Sequence, residues 1–289
     1  FTQIGGQPAN NIARWNGGTW SPLGTATVNG VARDGGLASV NSLAISGSDL
    51  YVGGAFTEAG GQPANRIARW DGTRWSSVGT GAANGIGAGA SVNAIAVMGG
   101  DLYAGGQFTQ AGGQPANNLA RWNGSVWSPL GDGVPLGSLS YVSDIAVSGS
   151  DLYVGGEFTA AGGQPANNIA RWDGSQWSSL GTGAGNGVNH AVRALAASGG
   201  DLYVGGFFRQ AGTQPANYIA RWNGSWSSLG GAKDNGVAGL IYALAVFAGD
   251  LHVGGQFAEV GGQPTNAIAR WNGSRWSTLG TGLSNGLNG

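Results

Sequence analysis

The stretch GGQPANNIARWNG, from Gly5 to Gly17, opens the chain and returns in five near-copies. The copies begin at Gly60, Gly112, Gly162, Gly212 and Gly261, so that successive copies lie 49 to 55 residues apart. A sequence period of this length is typical of propeller blades and of solenoid repeats. The whole chain of 289 residues is therefore organised by one repeated unit.

Each period contains four short apolar runs separated by turn residues, and each run has the length of a β-strand. The first two are exemplified by VNSLAISG at Val40 and DLYVGG at Asp49. The third is IARW or a variant, and the fourth begins at a second Trp. Alternation in the first run predicts Val and Ala on one face and Leu or Ile on the other. Asn-Gly or Asp-Gly separates the third and fourth runs, which predicts a hairpin and an all-β fold.

Four antiparallel strands in each of about six periods predict a β-propeller. The run LYVGG, followed by a loop, a strand and then Trp, resembles the kelch repeat, which has a Gly-Gly doublet in its second strand and a Trp in its fourth. This resemblance covers nearly the whole chain and implies six or seven blades. The WD40 pattern fits less well, because only Trp70-Asp71 and Trp172-Asp173 read WD. The chain departs from the kelch pattern in its GGQPAN loop and in the Arg-Trp of its third strand.

The sequence predicts a single propeller domain over residues 1–289. Its repeats fall at residues 1–24, 40–79, 92–131, 142–181, 192–230 and 241–280. The first repeat has only its third and fourth strands, so we favour a six-bladed propeller with one incomplete blade. The alternative is a five-bladed propeller with the first hairpin packed outside it. The missing strand pair is truncated, cleaved off or supplied by another chain.

Composition limits the classes of function. Only 9% of residues are charged and the net charge is −1, so we expect no nucleic-acid partner. No apolar run approaches the length of roughly 20 residues that crosses a bilayer, so we expect no membrane insertion. The chain has no Cys, which excludes thiolate ligands and the Cys–Tyr cross-link of kelch-type copper oxidases. The polar, weakly charged composition and the start at Phe1 favour a processed extracellular protein, secreted or at the cell surface.

Catalytic signals are weak. His190 and His252 are isolated in the sequence, and no carboxylate pair recurs at a spacing suited to acid–base chemistry. We therefore expect no enzyme, no catalytic residue, no cofactor and no metal site. The recurrent arginines of the third strand could grip a ligand, but an Asp opens the second strand in every complete repeat. Because buried charge needs a partner, the sequence favours structural Arg–Asp pairs.

Two recurrent residue types define a candidate ligand surface. Exposed Trp rings stack on sugars and side-chain amides bond to sugar hydroxyls, although both residues also suit a core and a rigid turn. The candidates are Trp15, Trp70, Trp122, Trp172, Trp222 and Trp271, with Gln7, Gln62, Gln114, Gln164, Gln214 and Gln263. We favour the interpretation that GGQPAN is a rigid turn and that the second Trp of each pair is core. A unique ligand site is expected in the variable segments 25–39, 80–91, 132–141, 182–191 and 231–240.

These features predict a non-enzymatic extracellular propeller that acts as a structural or adhesive module, with a protein partner or self-assembly through its incomplete blade. The alternative is a multivalent carbohydrate-binding lectin whose partners are glycans. A third hypothesis is an enzyme with its site in the central channel of the propeller.

Overall fold

The computed structural model describes residues 1–87, 91–135, 137, 140–230 and 236–279. These residues form strands and turns, with short 3₁₀ turns at Gly81–Ala83 and Gly183–Gly185, so the all-β prediction is confirmed. The chain divides into two compact units, Phe1–Leu136 and Gly137–Gly289. The end of the last predicted repeat at residue 280, and parts of three predicted variable segments, lie outside the described residues.

The first unit contains one hairpin and two four-stranded antiparallel sheets, whose strands are hydrogen-bonded in chain order. The N-terminal hairpin consists of Ala13–Trp15 and Trp20–Pro22. The strands of the first sheet are Ser39–Ser46, Asp49–Ala55, Ile67–Trp70 and Trp75–Ser77. Those of the second sheet are Ser91–Met98, Asp101–Gln107, Leu119–Trp122 and Trp127–Pro129.

The second unit contains three further sheets with the same four-strand core. The strands of the third sheet are Tyr141–Ser148, Asp151–Glu157, Ile169–Trp172 and Trp177–Ser179. Those of the fourth are Val192–Ser198, Asp201–Gly206, Ile219–Trp222 and Trp226–Ser228. Those of the fifth are Val237–Phe247, Asp250–Val260, Ile268–Trp271 and Trp276–Thr278. The repeated four-stranded sheet predicted from the sequence is thus confirmed.

The GGQPAN stretch forms a small ribbon rather than an irregular loop. In the first copy, Gln3–Ile4 pairs with Gln7–Pro8 across a two-glycine turn. The other ribbons are Glu58–Ala59 with Gln62–Pro63, Gln110–Ala111 with Gln114–Pro115, Ala160–Ala161 with Gln164–Pro165, Gln210–Ala211 with Gln214–Pro215, and the end of Asp250–Val260 with Gln263–Pro264. Short strands at Val31–Ala32 and Glu58–Ala59 also pair.

Asparagine side chains at the end of this ribbon donate hydrogen bonds to the segment that follows the fourth strand. Asn65 Nδ2 donates to the carbonyl of Asn84 at 2.9 Å, and Asn118 Nδ2 donates to the carbonyl of Val134 at 3.2 Å. Both bonds join segments that are distant in the chain, so they rigidify the connection between repeats. The prediction that GGQPAN contains a turn is confirmed, whereas whether its glutamines bind a ligand stays a prediction.

Glycine in the second strand allows neighbouring sheets of a unit to pack closely. A Cβ atom at Gly53 would lie 2.6 Å from Cγ1 of Val92 and 3.1 Å from Cγ2 of Ile95, in the next sheet. Val92 and Ile95 therefore share a face, and the prediction that Val lies with Ala opposite Ile was wrong here. The cause is a β-bulge between Val92 and Ala94, which shifts the alternation by one residue.

The second Trp of a repeat hydrogen-bonds to the repeat before it. Within the two units, the Nε1 donors and their carbonyl acceptors are Trp75 to Leu23 at 2.8 Å, Trp127 to Val78 at 2.9 Å, Trp226 to Leu180 at 2.9 Å and Trp276 to Leu229 at 3.0 Å. An indole N–H that is buried needs an acceptor, and these carbonyls provide one. Each hydrogen bond thus connects a sheet to the sheet or hairpin that precedes it in the sequence.

Candidate functional site

The recurrent arginines are ion-paired to the aspartates of the second strand, as the sequence predicted. The pairs, with their shortest N–O distances, are Arg69–Asp49 at 2.6 Å, Arg121–Asp101 at 2.6 Å, Arg171–Asp151 at 2.8 Å, Arg221–Asp201 at 3.6 Å and Arg270–Asp250 at 3.4 Å. The side chains are partly solvent-exposed, so each pair contributes no more than about 1 kcal/mol to stability. In these five sheets the arginines are structural.

Among the described residues, the N-terminal hairpin pairs with no strand of the kind that holds this aspartate in the five sheets. Strand Ala13–Trp15 pairs only with Trp20–Pro22, whereas Ile67–Trp70 also pairs with the second strand of its sheet. In the part of the chain that the structure describes, one edge of Ala13–Trp15 therefore has no paired strand. Arg14 is exposed and has no carboxylate partner among the described residues.

An apolar face of the first sheet is exposed beside this open edge. Leu43 is 53% exposed and Ile45 is 72% exposed, whereas Ile95, which corresponds to Leu43 in the second sheet, is 6% exposed. The second strand of the first sheet covers Ile95 through Gly53. No such strand precedes the first sheet among the described residues, so Leu43 stays uncovered. We call the free edge of Ala13–Trp15, together with Leu43 and Ile45, the open site.

The tryptophans of the hairpin are also more exposed than those of the sheets. Trp15 is 50% exposed and Trp20 is 39% exposed, while Trp75, the counterpart of Trp20, is 7% exposed. Trp15 and Trp20 remain in contact, with ring centroids 5.2 Å apart. Both rings therefore extend the apolar surface of the hairpin.

The structure places the predicted ligand residues as follows. All six glutamines are exposed, Trp15 is exposed and Trp271 is buried, and the other first tryptophans are half-buried: Trp70, Trp122, Trp172 and Trp222. Each first Trp packs against the second Trp of its hairpin, at centroid distances of 5.2 to 5.6 Å. The first tryptophans thus have one face packed, and whether they bind a ligand stays a prediction.

Three of these tryptophans line cavities between adjacent sheets. A cavity of about 690 Å³ is bordered by Arg69, Ser76, Gln114 and Trp122. Equivalent cavities of about 270 and 390 Å³ are lined by Arg171, Ser178 and Trp222, and by Arg221, Ser227 and Trp271. The repeated lining is one aromatic ring, hydroxyl groups and a guanidinium already paired with Asp. The structure brings Gln114 and Trp122 together in the largest of the three.

A further cavity of about 290 Å³ lies at the variable segment 182–191, in the second unit. Its lining includes Glu157, Asn189 and His190. The Tyr141 hydroxyl donates a hydrogen bond to Oε2 of Glu157 at 3.2 Å, and burial raises the pKa of Tyr141. Sequence reasoning indicated the segment but missed Glu157, which ends the second strand of its repeat. Across the described ranges, no three His, Cys, Asp or Glu side chains gather to hold a metal ion.

One carboxyl group is electrostatically unusual. Burial of Asp144 raises its pKa to about 6, although the backbone N–H groups of Leu195 and Ile145 both donate to it. It occupies the position of Ser42 in the first sheet, whose Oγ accepts the N–H of Ile95 at 3.0 Å. Its role is thus to accept a hydrogen bond from the neighbouring sheet. The sequence offered one signal, an acidic residue within a strand that is otherwise apolar at its centre.

Comparison with known proteins supports a β-propeller class. The profile of a family described as a β-propeller domain of unknown function, DUF5122, matches residues 49–70, 100–124 and 151–172. These ranges contain the second and third strands of three successive repeats. No curated protein sequence matches the chain. No helix among the described residues is long and apolar enough to cross a membrane.

Three solved structures are similar to the chain at low sequence identity. YCF48 bound to a D1 peptide is 14% identical with a TM-score of 0.48, over 86% of this chain and 71% of that chain. The computationally designed protein Ika8 is 16% identical with a TM-score of 0.46, over 88% of this chain and 76% of its own. A chain of a nidogen/laminin complex is 14% identical with a TM-score of 0.48, over 81% of this chain and 75% of that chain.

Proposed function

We propose that this chain is a non-enzymatic β-propeller interaction module that associates with protein through the open site, first of all with copies of itself. The observation that carries the proposal is the open site: Leu43 and Ile45 are 53% and 72% exposed, and the edge of Ala13–Trp15 has no partner strand among the described residues. Six kelch-like blades, the first incomplete, remain our preferred architecture. A structural or adhesive role outside the cell is the context we propose.

The physical argument rests on two features that favour association together. An open strand edge presents backbone N–H and C=O groups that pair readily with another strand. Exposed apolar side chains next to it gain about 25 cal/mol for each Å² that association removes from water. A net charge of −1 leaves little repulsion between copies. The open site is therefore the part of the first unit best suited to bind protein.

The test is the molar mass of the purified chain by light scattering across a wide concentration range. We expect the mass to rise with concentration, and the double substitution Leu43→Thr with Ile45→Thr to suppress the rise. Val126→Thr is the matched control, because Val126 is 59% exposed but lies in a hairpin turn of the second sheet. A chain that stays monomeric at every concentration contradicts self-association. An identical rise in all three proteins excludes the open site as its cause.

A second candidate function is carbohydrate binding, favoured by the repeated cavities that Trp122, Trp222 and Trp271 line. An indole face beside serine hydroxyls suits the apolar and polar faces of a sugar ring. Repetition of the site would give avidity for glycans that carry several copies of one sugar. This function uses surfaces distinct from the open site, so the two candidates can be tested separately.

A further inference from the structure

Three side chains of the third and fourth sheets depart from the repeat and lie close together. They are Tyr141, Glu157 and Arg193, and their counterparts are Ser39, Ala55 and Asn41 in the first sheet and Ser91, Gln107 and Asn93 in the second. The counterparts are small or uncharged, and their sheets have the same four strands. The fold therefore does not require a phenol, a carboxylate and a guanidinium at these positions.

Tyr141 connects the other two side chains. Its hydroxyl donates to Oε2 of Glu157 at 3.2 Å, and the guanidinium carbon of Arg193 lies 5.2 Å from the centre of its ring. Arg193 is the extra residue of a β-bulge in the fourth sheet, and its guanidinium also contacts the ring of Phe207 at 4.6 Å. None of the ion pairs among the described residues includes Glu157 or Arg193. The cluster thus holds a carboxylate and a guanidinium that are not paired with each other.

Glu157 and His190 offer opposite hydrogen-bonding groups to the cavity of about 290 Å³. Oε1 of Glu157 has no hydrogen-bond partner in the described part of the chain, so it can accept from a ligand. The backbone N–H of Ala191 donates to Nδ1 of His190 at 2.9 Å, so the neutral ring carries its proton on Nε2 and can donate there. The hydroxyls of Ser140 and Thr159 complete a lining that both donates and accepts.

The segment that carries His190 is held in place before any ligand binds. Oδ1 of Asn189 accepts the backbone N–H groups of Arg209 and Gln210 at 3.0 and 3.1 Å. The ring centroid of His190 lies 6.3 Å from that of Phe207. Side chains that are ordered beforehand lose less conformational entropy on binding, so this arrangement suits a small ligand.

We propose that this cavity binds one neutral sugar residue, with Glu157 as the acceptor and His190 as the donor. Each sugar hydroxyl both donates and accepts, so neighbouring hydroxyls match a lining that does the same. Charge disfavours other ligands, because Arg193 repels a cation and Glu157 repels an anion. The volume is at the lower end of the range for small-molecule sites, roughly 300–1,000 Å³, which suits a single ring.

The site goes beyond the proposed function, because it differs in place from both candidates. It lies in the second unit, whereas the open site lies in the first. It also shares no lining residue with the cavities that Trp122, Trp222 and Trp271 line. Within it, Tyr141 is a positioning residue, since its hydroxyl holds one oxygen of Glu157 and leaves the other for the ligand.

The experiment measures binding of D-glucose, D-galactose and D-mannose to the whole chain. Saturation-transfer NMR detects the sugar that binds, and calorimetry gives its affinity. Glycine, acetate and methylammonium serve as zwitterionic, anionic and cationic probes. We expect saturable binding of at least one sugar and no binding of the three charged probes at the same concentration. Comparison of that sugar with its methyl glycoside distinguishes a free monosaccharide from the end of a glycan as the natural ligand.

Four variants test the assignment of residues. Glu157→Gln should weaken affinity at least about tenfold, because hydrogen bonds to a charged acceptor are the stronger ones. Glutamine stands at this position in the second and fifth sheets, as Gln107 and Gln256, so the substitution suits the fold. His190→Ala should weaken affinity about twofold to tenfold. Gln107→Ala is the matched control and should leave affinity unchanged.

Tyr141→Phe separates positioning from a structural role. It should weaken affinity about twofold to tenfold in the wild type but have little further effect in Glu157→Gln. A hydroxyl that only stabilised the fold would lower affinity equally in both backgrounds. Urea unfolding of each variant shows whether the fold is retained.

The inference is overturned if none of the three sugars binds, if Glu157→Gln leaves affinity unchanged, or if a charged probe binds more tightly than the sugars. If Trp122→Ala removes binding that Glu157→Gln leaves intact, the sugar occupies the cavities of the second candidate function instead. Self-association through the open site is measured by light scattering without any sugar. Failure of the proposed function and failure of this inference are therefore distinguishable.

Discussion

Asp144→Ser should stabilise the protein at neutral pH and flatten its response to acid. Burial raises the folded-state pKa of Asp144 from 3.8 to about 6, so the folded state holds a proton that the unfolded state releases. The contribution of Asp144 to stability therefore falls as pH rises from about 4 to about 6 and is least favourable above that range. A shift of about two pKa units corresponds to about 3 kcal/mol, which is the upper limit of the gain. Serine keeps an acceptor for the N–H of Leu195, as Ser42 does for Ile95.

The assay is urea unfolding of the wild type and of Asp144→Ser between pH 4 and pH 7.5. Asp173 makes a suitable control, because hydrogen bonds from Gln176 and Ser175 lower its pKa. The stability that Asp173 contributes is present at higher pH and is lost only below about pH 4. Asp173→Asn should therefore leave the change of unfolding free energy between pH 4 and pH 6 as it is in the wild type. The reasoning is refuted if the gain in unfolding free energy from Asp144→Ser is no larger at pH 6.5 than at pH 4.5.

Two further predictions concern close packing and the sugar-binding alternative. Gly60→Ala should destabilise the chain by about 1–3 kcal/mol, since its Cβ would lie 2.5 Å from Cδ1 of Trp75. Gly72→Ala, at positive φ but in open space, should cost only about 1 kcal/mol in the same unfolding assay. Trp122→Ala should weaken binding of a neutral oligosaccharide if the cavities bind glycans. Unchanged calorimetric titrations would rule out the cavity that Trp122 lines as a sugar-binding site.

Sequence reasoning succeeded where the determinants lie within one period. The strand pattern, the GGQPAN turn and the pairing of Arg69 with Asp49 each follow from residues of a single repeat. It was least informative where a neighbouring sheet determines whether a side chain is buried. Trp20 and Trp75 occupy equivalent positions in their repeats, yet one is 39% exposed and the other 7%. Coverage by an adjacent strand is a tertiary property that no local pattern encodes.

Two other differences between the predictions from the sequence and the structure also arise because local patterns do not encode them. The bulge at Val92 changes which residues share a face, and alternation alone cannot predict an extra residue in one strand. The open site was predicted as an incomplete first repeat, but not that Leu43 and Ile45 would be its exposed apolar face. Their exposure follows from the absence of a covering strand among the described residues, whereas their own sequence is that of a buried strand.

The indole hydrogen bonds between repeats all run the same way along the chain, from a tryptophan N–H to a carbonyl of the preceding repeat. Within a unit, a repeat offers a carbonyl to the repeat that follows and donates an indole N–H to the repeat that precedes, as Trp127 does to Val78 and Trp75 does to Leu23. Copying one whole period therefore adds one donor and one acceptor together. An array of this kind can lengthen by duplication without leaving an internal indole unsatisfied. One period is therefore both the unit that can be duplicated and the unit that contains one indole donor for each carbonyl acceptor.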